Sequence, residues 1–192
     1  MAAQINMSMR NLIAIVEEAE RLDELSRPRT RDKAEWVLIK AGYKFLGKGA
    51  YGAVYKKPDT NYVLKLFDAR DQAYIEFIKL AKDNPNPHFP RFFGKPIRVT
   101  DEYYAIRTEY LKGIFGPKDE VSLLDYYISS KGQQPNSFID EFFASQPDLK
   151  TAADLIVQLI QRHPNFVCDI YHNNVMLRGE TMVLTDPISI DN

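Results

Sequence analysis

The sequence predicts an α+β protein with a β-rich first part and a helical second part. From residue 43 to residue 111, short aromatic and β-branched segments are separated by turn residues, which is typical of antiparallel strands. After residue 113, apolar residues recur at helical spacing over 121–129, 137–144 and 149–162. We therefore expect a minimal two-lobed fold with an N-terminal helical extension at 1–34, a β-rich lobe at 35–111 and a reduced helical lobe at 112–192.

Local patterns predict the elements in order. One apolar stripe at helical spacing suits either a dimer face or packing on the β-rich lobe, and its residues are Leu12, Ile15, Val16, Ala19 and Leu22. Asp32 is expected to cap a second helix that ends at Gly42 and places Trp36 in the core. Strands are predicted in "YKFLGKG", "GAVYKK" and "NYVLKLF", with "PDTN" as the turn between the last two. A helix at 71–82 and a loop, "NPNPHFPRFFGKP", precede the strand pair "PIRVT" and "YYAIRTEYL". The later segment "VMLRGETMVLTD" is predicted to be a hairpin with "RGET" as its turn.

Composition argues against several classes of protein. The formal net charge is −1, so a basic surface for nucleic acid is not expected. The single cysteine, Cys168, permits no internal disulfide, which suits a reducing cytoplasm. No apolar run reaches the roughly 20 residues that a membrane span needs, and no membrane partner is expected.

The segment "GKGAYGAVY" contains the first functional motif. Gly47, Gly49 and Gly52 are spaced G-x-G-x-x-G, and Val54 follows two positions later in a predicted strand. A glycine turn between two strands can lie over the phosphates of a nucleotide, because the backbone approaches closely and directs its N–H groups at the oxygens. A flexible hairpin without a ligand is the alternative.

A lysine in an apolar strand is the second motif. Lys65 lies in "YVLKLF", where its ammonium group must either reach solvent or meet an anion. If this strand pairs beside the glycine hairpin, Lys65 lies near the α- and β-phosphates.

Three oxygen-bearing residues form the third motif. Asp169 and Asn174 are five positions apart, and Asp186 follows at the end of the last hairpin. Asp169 suits a residue that accepts or orients a hydroxyl proton, whereas Asn174 and Asp186 offer the hard oxygen ligands that Mg²⁺ prefers.

Together these residues resemble the motifs of protein kinases. The chain is most similar to the early-gene serine/threonine kinases of short-tailed lytic phages of the autographivirus type. The resemblance covers about residues 35–190 and is carried by "FLGKGAYGAVY", "YVLKLF", "AYIEF", "NPHFPRF", "DIYHNNVML" and "TDPIS". It implies transfer of the γ-phosphate of ATP, with Mg²⁺, to several host proteins in the bacterial cytoplasm.

The resemblance also implies roles for further residues. Glu76 would pair with Lys65, although a solvated surface position is the alternative. The backbone of Glu109 and Leu111 would bind adenine, and Thr108 would guard the pocket.

The sequence departs from the kinase pattern at four positions. Val167 and Cys168 replace the His-Arg that precedes the catalytic aspartate, Pro187 replaces the Phe of D-F-G, and Tyr171 replaces a lysine. The sequence has no counterpart of the A-P-E segment, so we expect constitutive activity. A kinase-shaped binding protein and a small-molecule phosphotransferase are the alternative functions.

Overall fold

The computed structural model describes residues 30–49, 51–111, 117–133 and 137–191. These residues form two compact units. The first, here the sheet unit, contains the described residues up to Arg70 and Phe93–Tyr110; the second, here the helical unit, contains Asp71–Phe92 and the described residues from Leu111 onward. The predicted N-terminal helical stripe lies outside the described residues, and the predicted domain boundaries stay a prediction.

The sheet unit is built on a five-stranded sheet. Its strands are β1 (Lys44–Lys48), β2 (Gly52–Lys56), β3 (Tyr62–Asp68), β4 (Phe92–Arg98) and β5 (Tyr103–Glu109). Their spatial order is β1-β2-β3-β5-β4, and β2 pairs antiparallel with both β1 and β3. With the helices given below, this sheet confirms the predicted α+β class.

One face of the sheet is covered by helix α1 (Thr30–Lys40). Leu64 and Leu66 of β3 share a core with Val37 and Leu38 of the helix. Opposite residues of an antiparallel pair lie on the same face, so β2 adds Ala53 and Tyr55 while β5 adds Ala105 to this core. Burial of this apolar surface fixes which residues of β3 turn to the other face.

Three local predictions for this unit were wrong. Helix α1 begins two residues before Asp32, which therefore lies in the first turn and not at the cap. Trp36 is 43% exposed, because the helix buries Val37 and Leu38 instead. Strand β4 begins at Phe92, not at Pro96; a proline within this strand is tolerated because β4 lies at the edge of the sheet.

The helical unit contains four helices and two small antiparallel pairs. The helices are α2 (Gln72–Asp83), α3 (Lys118–Ser129), α4 (Ser137–Ala144) and α5 (Pro147–Arg162). The strands are β6 (Phe166–Cys168), β7 (Val175–Arg178), β8 (Thr181–Leu184) and β9 (Ile188–Ile190). Strand β6 pairs with β9, and β7 pairs with β8. Within the described ranges, no helix is both long and apolar enough to cross a membrane.

Helix α2 begins where the sequence predicts and carries a packed apolar face. The Asp71 carboxylate accepts a hydrogen bond from the Tyr74 backbone N–H at 3.0 Å, which satisfies one of the free donors of the first turn. The ring of Phe77 makes edge-to-face contacts with Phe89 and Phe92, with centroids 5.6 and 6.1 Å apart. This aromatic cluster ties the helix to the chain that follows it.

Candidate functional site

The glycine-rich segment is the turn of the β1–β2 hairpin. Gly47 pairs with Val54 across the hairpin, next to an irregularity in the register between Phe45 and Gly47. The Gly49 N–H donates to the Gly52 carbonyl at 2.9 Å. The structure therefore places these glycines between two strands and not before a helix, as the sequence predicts.

Gly52 is the glycine that the packing requires. A Cβ atom at this position would lie 2.6 Å from the backbone oxygen of Leu66 and 3.6 Å from Cε of Lys65. Any side chain would therefore force β2 away from β3. At Gly47 an added Cβ meets no atom within 4 Å.

We expect Gly52→Ala to destabilise the protein by about 1–3 kcal/mol, the usual cost of overpacking. Because Lys65 lies beside the added methyl group, ATP affinity should fall as well. Thermal unfolding and calorimetry measure the two effects. Gly47→Ala is the matched control for stability, since its methyl group enters open space. Equal melting temperatures for the two variants would contradict the requirement at Gly52.

Lys65 lies on the sheet face that α1 does not cover. It is half-buried and stands opposite Val54 on β2 and Ile106 on β5, so the three side chains share this face. The sheet unit thus brings together Gly52, Val54 and Lys65. A cation flanked by apolar side chains and a close-packed backbone is suited to a phosphate group that carries its own charge.

The predicted adenine-binding segment ends strand β5. Glu109 pairs with Tyr62 on β3, and the Tyr110 N–H donates to the Asn61 carbonyl at 3.1 Å. Thr108 stands opposite Val63 on the Lys65 face. Its hydroxyl oxygen is buried and makes no hydrogen bond to a described residue. Leu111 is a buried residue of the helical unit.

In the helical unit, Asp169 and Asn174 are in direct contact. The Asn174 side-chain N–H group donates to the Asp169 backbone oxygen at 2.8 Å and to its carboxylate Oδ2 at 3.1 Å. The loop between them closes on itself, because the Asn174 backbone N–H donates to the Tyr171 carbonyl at 2.8 Å. The Asp-x4-Asn spacing therefore corresponds to one loop whose two end residues are hydrogen-bonded to each other.

The segment around Asp186 is hydrogen-bonded to the same loop. The N–H and the hydroxyl of Thr185 both donate to the Asn174 backbone oxygen, at 2.8 and 2.9 Å. On the other side, the Asp169 N–H donates to the Pro187 carbonyl at 2.9 Å. The two neighbours of Asp186 are thus fixed to the two ends of the 169–174 loop. Sequence reasoning missed Thr185, whose position directly before a strand-terminal aspartate is the available signal.

The donor set of this loop suits Mg²⁺ with a phosphate ligand. While its N–H group bonds Asp169, the Asn174 side chain keeps an amide oxygen as a ligand, and Asp186 adds a carboxylate. Over the described ranges, no three His, Cys, Asp or Glu side chains form a metal cluster. Mg²⁺ usually takes one or two protein oxygens and completes its shell with phosphates and water, so two ligands fit.

Glu76 lies on α2, half-buried, in the helical unit. Its carboxylate contacts the ammonium group of Lys79, one turn further along the helix, at 2.6 Å. Its pairing with Lys65 stays a prediction.

Cys168 and Tyr171, which lie close to Asp169 in the sequence, differ in exposure. The Cys168 thiol donates to the Asp125 carboxylate at 3.3 Å, and burial raises the pKa of this thiol to about 12. The thiol is therefore protonated at neutral pH and is no nucleophile. Tyr171, in contrast, is 63% exposed.

Similarity to known proteins is found among solved structures. No family model and no curated protein matches the sequence. Among the solved structures that match is the Cydia pomonella granulovirus kinase PK-1, at 12% sequence identity and a TM-score of 0.42. The match covers 84% of this chain and 60% of that kinase. The function proposed below therefore rests on the residues of this chain.

Proposed function

We propose that this chain is an ATP-dependent serine/threonine protein kinase. The observation that supports this most is the closed loop of Asp169 and Asn174, to which both neighbours of Asp186 are hydrogen-bonded. A carboxylate beside an amide and a second carboxylate is the set that phosphoryl transfer needs for one hydroxyl and one metal ion. A protein that only binds its target has no use for this set.

Each residue has a role in the proposed reaction. The backbone of the glycine hairpin at 47–52 covers the phosphates, Val54 contacts the base, and Lys65 binds the α- and β-phosphates while pairing with Glu76. Glu109 and Leu111 bind adenine through their backbone atoms. Asn174 and Asp186 hold Mg²⁺, which neutralises the phosphate oxygens when it is bound.

Asp169 acts on the acceptor. The acceptor hydroxyl oxygen forms a bond to the γ-phosphorus, while the bond from phosphorus to the β–γ bridging oxygen breaks. The hydroxyl proton passes to the Asp169 carboxylate, and ADP keeps the bridging oxygen. We propose host proteins in the bacterial cytoplasm as acceptors, in the context of infection by a lytic phage.

Incubation with γ-labelled ATP and a heat-treated bacterial lysate tests this function, since heating inactivates the kinases of the lysate. Several labelled protein bands that need the added chain are expected. Label confined to a small molecule would favour a small-molecule phosphotransferase. Absence of any transfer would favour the kinase-shaped binding protein.

We expect Asp186→Asn to weaken Mg²⁺-dependent ATP binding by at least about tenfold. A loss of this size is seen even when the substituted residue only hydrogen-bonds to a metal ligand. The amide keeps the size of the side chain and removes its charge, so ATP binding without Mg²⁺ should change little. Calorimetry with and without Mg²⁺ measures both affinities. Identical Mg²⁺ dependence in the variant and the wild type would remove Asp186 from the metal site.

A further inference from the structure

The loop after α2, residues 84–91, is hydrogen-bonded to the β7–β8 hairpin at His88. The His88 backbone oxygen accepts from the Leu184 N–H at 2.9 Å, and its ring Nδ1 lies 2.8 Å from the Met182 carbonyl oxygen. A carbonyl can only accept, so Nδ1 carries the proton and donates. One residue thus satisfies an N–H group and a C=O group of β8.

These two bonds use the edge of β8 that β7 leaves open. In an antiparallel pair, alternate residues of a strand direct their backbone groups toward the partner strand and away from it. Met182 and Leu184 are two residues apart and both bond to His88, so His88 takes the place of a further strand. Without it, buried backbone groups of β8 would lose their partners.

The His88 ring is built into the protein interior. The residue is 8% exposed, and burial lowers the pKa of its imidazole, which stays neutral at pH 7. Its own N–H is held by the Asn86 side-chain oxygen at 2.8 Å. Both the backbone and the ring of His88 therefore have a fixed direction.

Arg178 of β7 holds the two neighbours of His88. Its guanidinium group donates to the Pro87 carbonyl at 2.7 Å and to the Phe89 carbonyl at 3.1 Å. Three consecutive loop residues are therefore bound to one hairpin. These hydrogen bonds fix the proline-rich loop to the β7–β8 hairpin.

His88 binds β8 at Leu184, two residues before Asp186, the proposed metal ligand. Strand β8 ends at Leu184, whose N–H is bound by His88, and Asp186 follows after Thr185. We propose that His88 is a positioning residue for Asp186, because it fixes the outer edge of the strand end from which Asp186 projects. This inference rests on the proposed function, in which Asp186 holds Mg²⁺.

Three variants of the full chain test the proposal. His88→Ala removes the ring donor, His88→Asn restores an N–H donor at a similar distance from the backbone, and Arg178→Ala releases the neighbours of His88. Tyr127→Phe is the control, since it removes a hydrogen bond between Tyr127 and Asp154 that joins α3 to α5. Calorimetry of ATP binding with and without Mg²⁺ is the first readout, and hydrogen exchange of the Leu184 amide is the second.

We expect the enhancement of ATP affinity by Mg²⁺ to fall about tenfold in His88→Ala. This is in the range known for residues that orient a metal ligand without binding the metal. The Leu184 amide should exchange faster, and His88→Asn should recover most of both properties. Arg178→Ala should shift both in the same direction, and it keeps the proposal testable if His88→Ala fails to fold. Tyr127→Phe should lose stability but keep the wild-type enhancement.

Two results separate the proposal from the function on which it rests. A wild-type enhancement that survives in both His88→Ala and Arg178→Ala would overturn the positioning role and leave the kinase proposal standing. A wild type whose ATP binding ignores Mg²⁺ would overturn the metal site itself, and with it the role of His88.

Discussion

Asp169→Asn is expected to lower the turnover of phosphate transfer by on the order of 10² or more, while ATP affinity stays within about threefold of the wild type. The substitution keeps the size of the side chain and removes its negative charge. Because phosphoryl transfer depends on positioning and charge, an aspartate at the acceptor hydroxyl affects the chemical step more than nucleotide binding.

The contacts of Asp169 make this substitution a clean test. The Asn174 side-chain N–H group donates to the backbone oxygen and to the Oδ2 of Asp169. An asparagine at 169 would still offer its backbone oxygen and one side-chain oxygen as acceptors. The Asp169 N–H keeps its bond to Pro187. The loop should therefore retain its shape when the charge is lost.

Transfer to lysate proteins and calorimetry of ATP binding measure the two quantities for Asp169→Asn. Asp140→Asn on α4 is the matched control, since its carboxylate is exposed and outside the proposed site. Near-normal turnover in Asp169→Asn would refute its role at the acceptor. The nucleotide site of Lys65 and the glycine hairpin would remain a valid proposal in that case.

The parts of the fold that sequence reasoning predicted are those with local causes. Helix α2 begins beside the Asp71 cap, and the last hairpin turns at Gly179, whose φ of +64° lies in the left-handed region that glycine adopts easily. The glycine spacing and the Asp-x4-Asn spacing likewise depend on neighbours within a few residues. In each case the sequence segment contains both partners of the contact.

The parts that sequence reasoning missed depend on contacts between distant segments. Strands β6 and β9 have three residues each, and their pairing joins Cys168 to Ile188 across the loop and the last hairpin. Such short strands have no periodicity to detect. Trp36 is predicted in the core, but the face that α1 turns to the sheet is formed by Val37 and Leu38 instead.

His88 shows the same limit at the candidate site. A histidine flanked by prolines predicts a loop, and the structure confirms the loop. The partner atoms of His88 belong to Met182 and Leu184, more than 90 residues later, and they are backbone atoms. No side-chain pattern in the sequence indicates such a contact.

Lys65→Met is expected to keep the fold and to lower turnover by on the order of 10²–10³, the loss typical when one preorganised charge or donor is removed. Methionine is unbranched and apolar, so it can follow the same path between Val54 and Ile106. Val54 and Ile106 flank the lysine, which is half-buried, and a charge that is partly removed from solvent acts more strongly on a phosphate than it would in water.

The melting temperature and the transfer rate together decide the role of Lys65. Lys44→Met on β1 is the matched control, since it removes an exposed lysine of the same sheet. If Lys65 binds phosphates, Lys65→Met should melt within a few degrees of the control and transfer far less label. If Lys65→Met instead has a much lower melting temperature and retains its transfer rate, the lysine stabilises the sheet and does not bind the nucleotide. The reason is that removing a residue that positions phosphates must slow the chemical step.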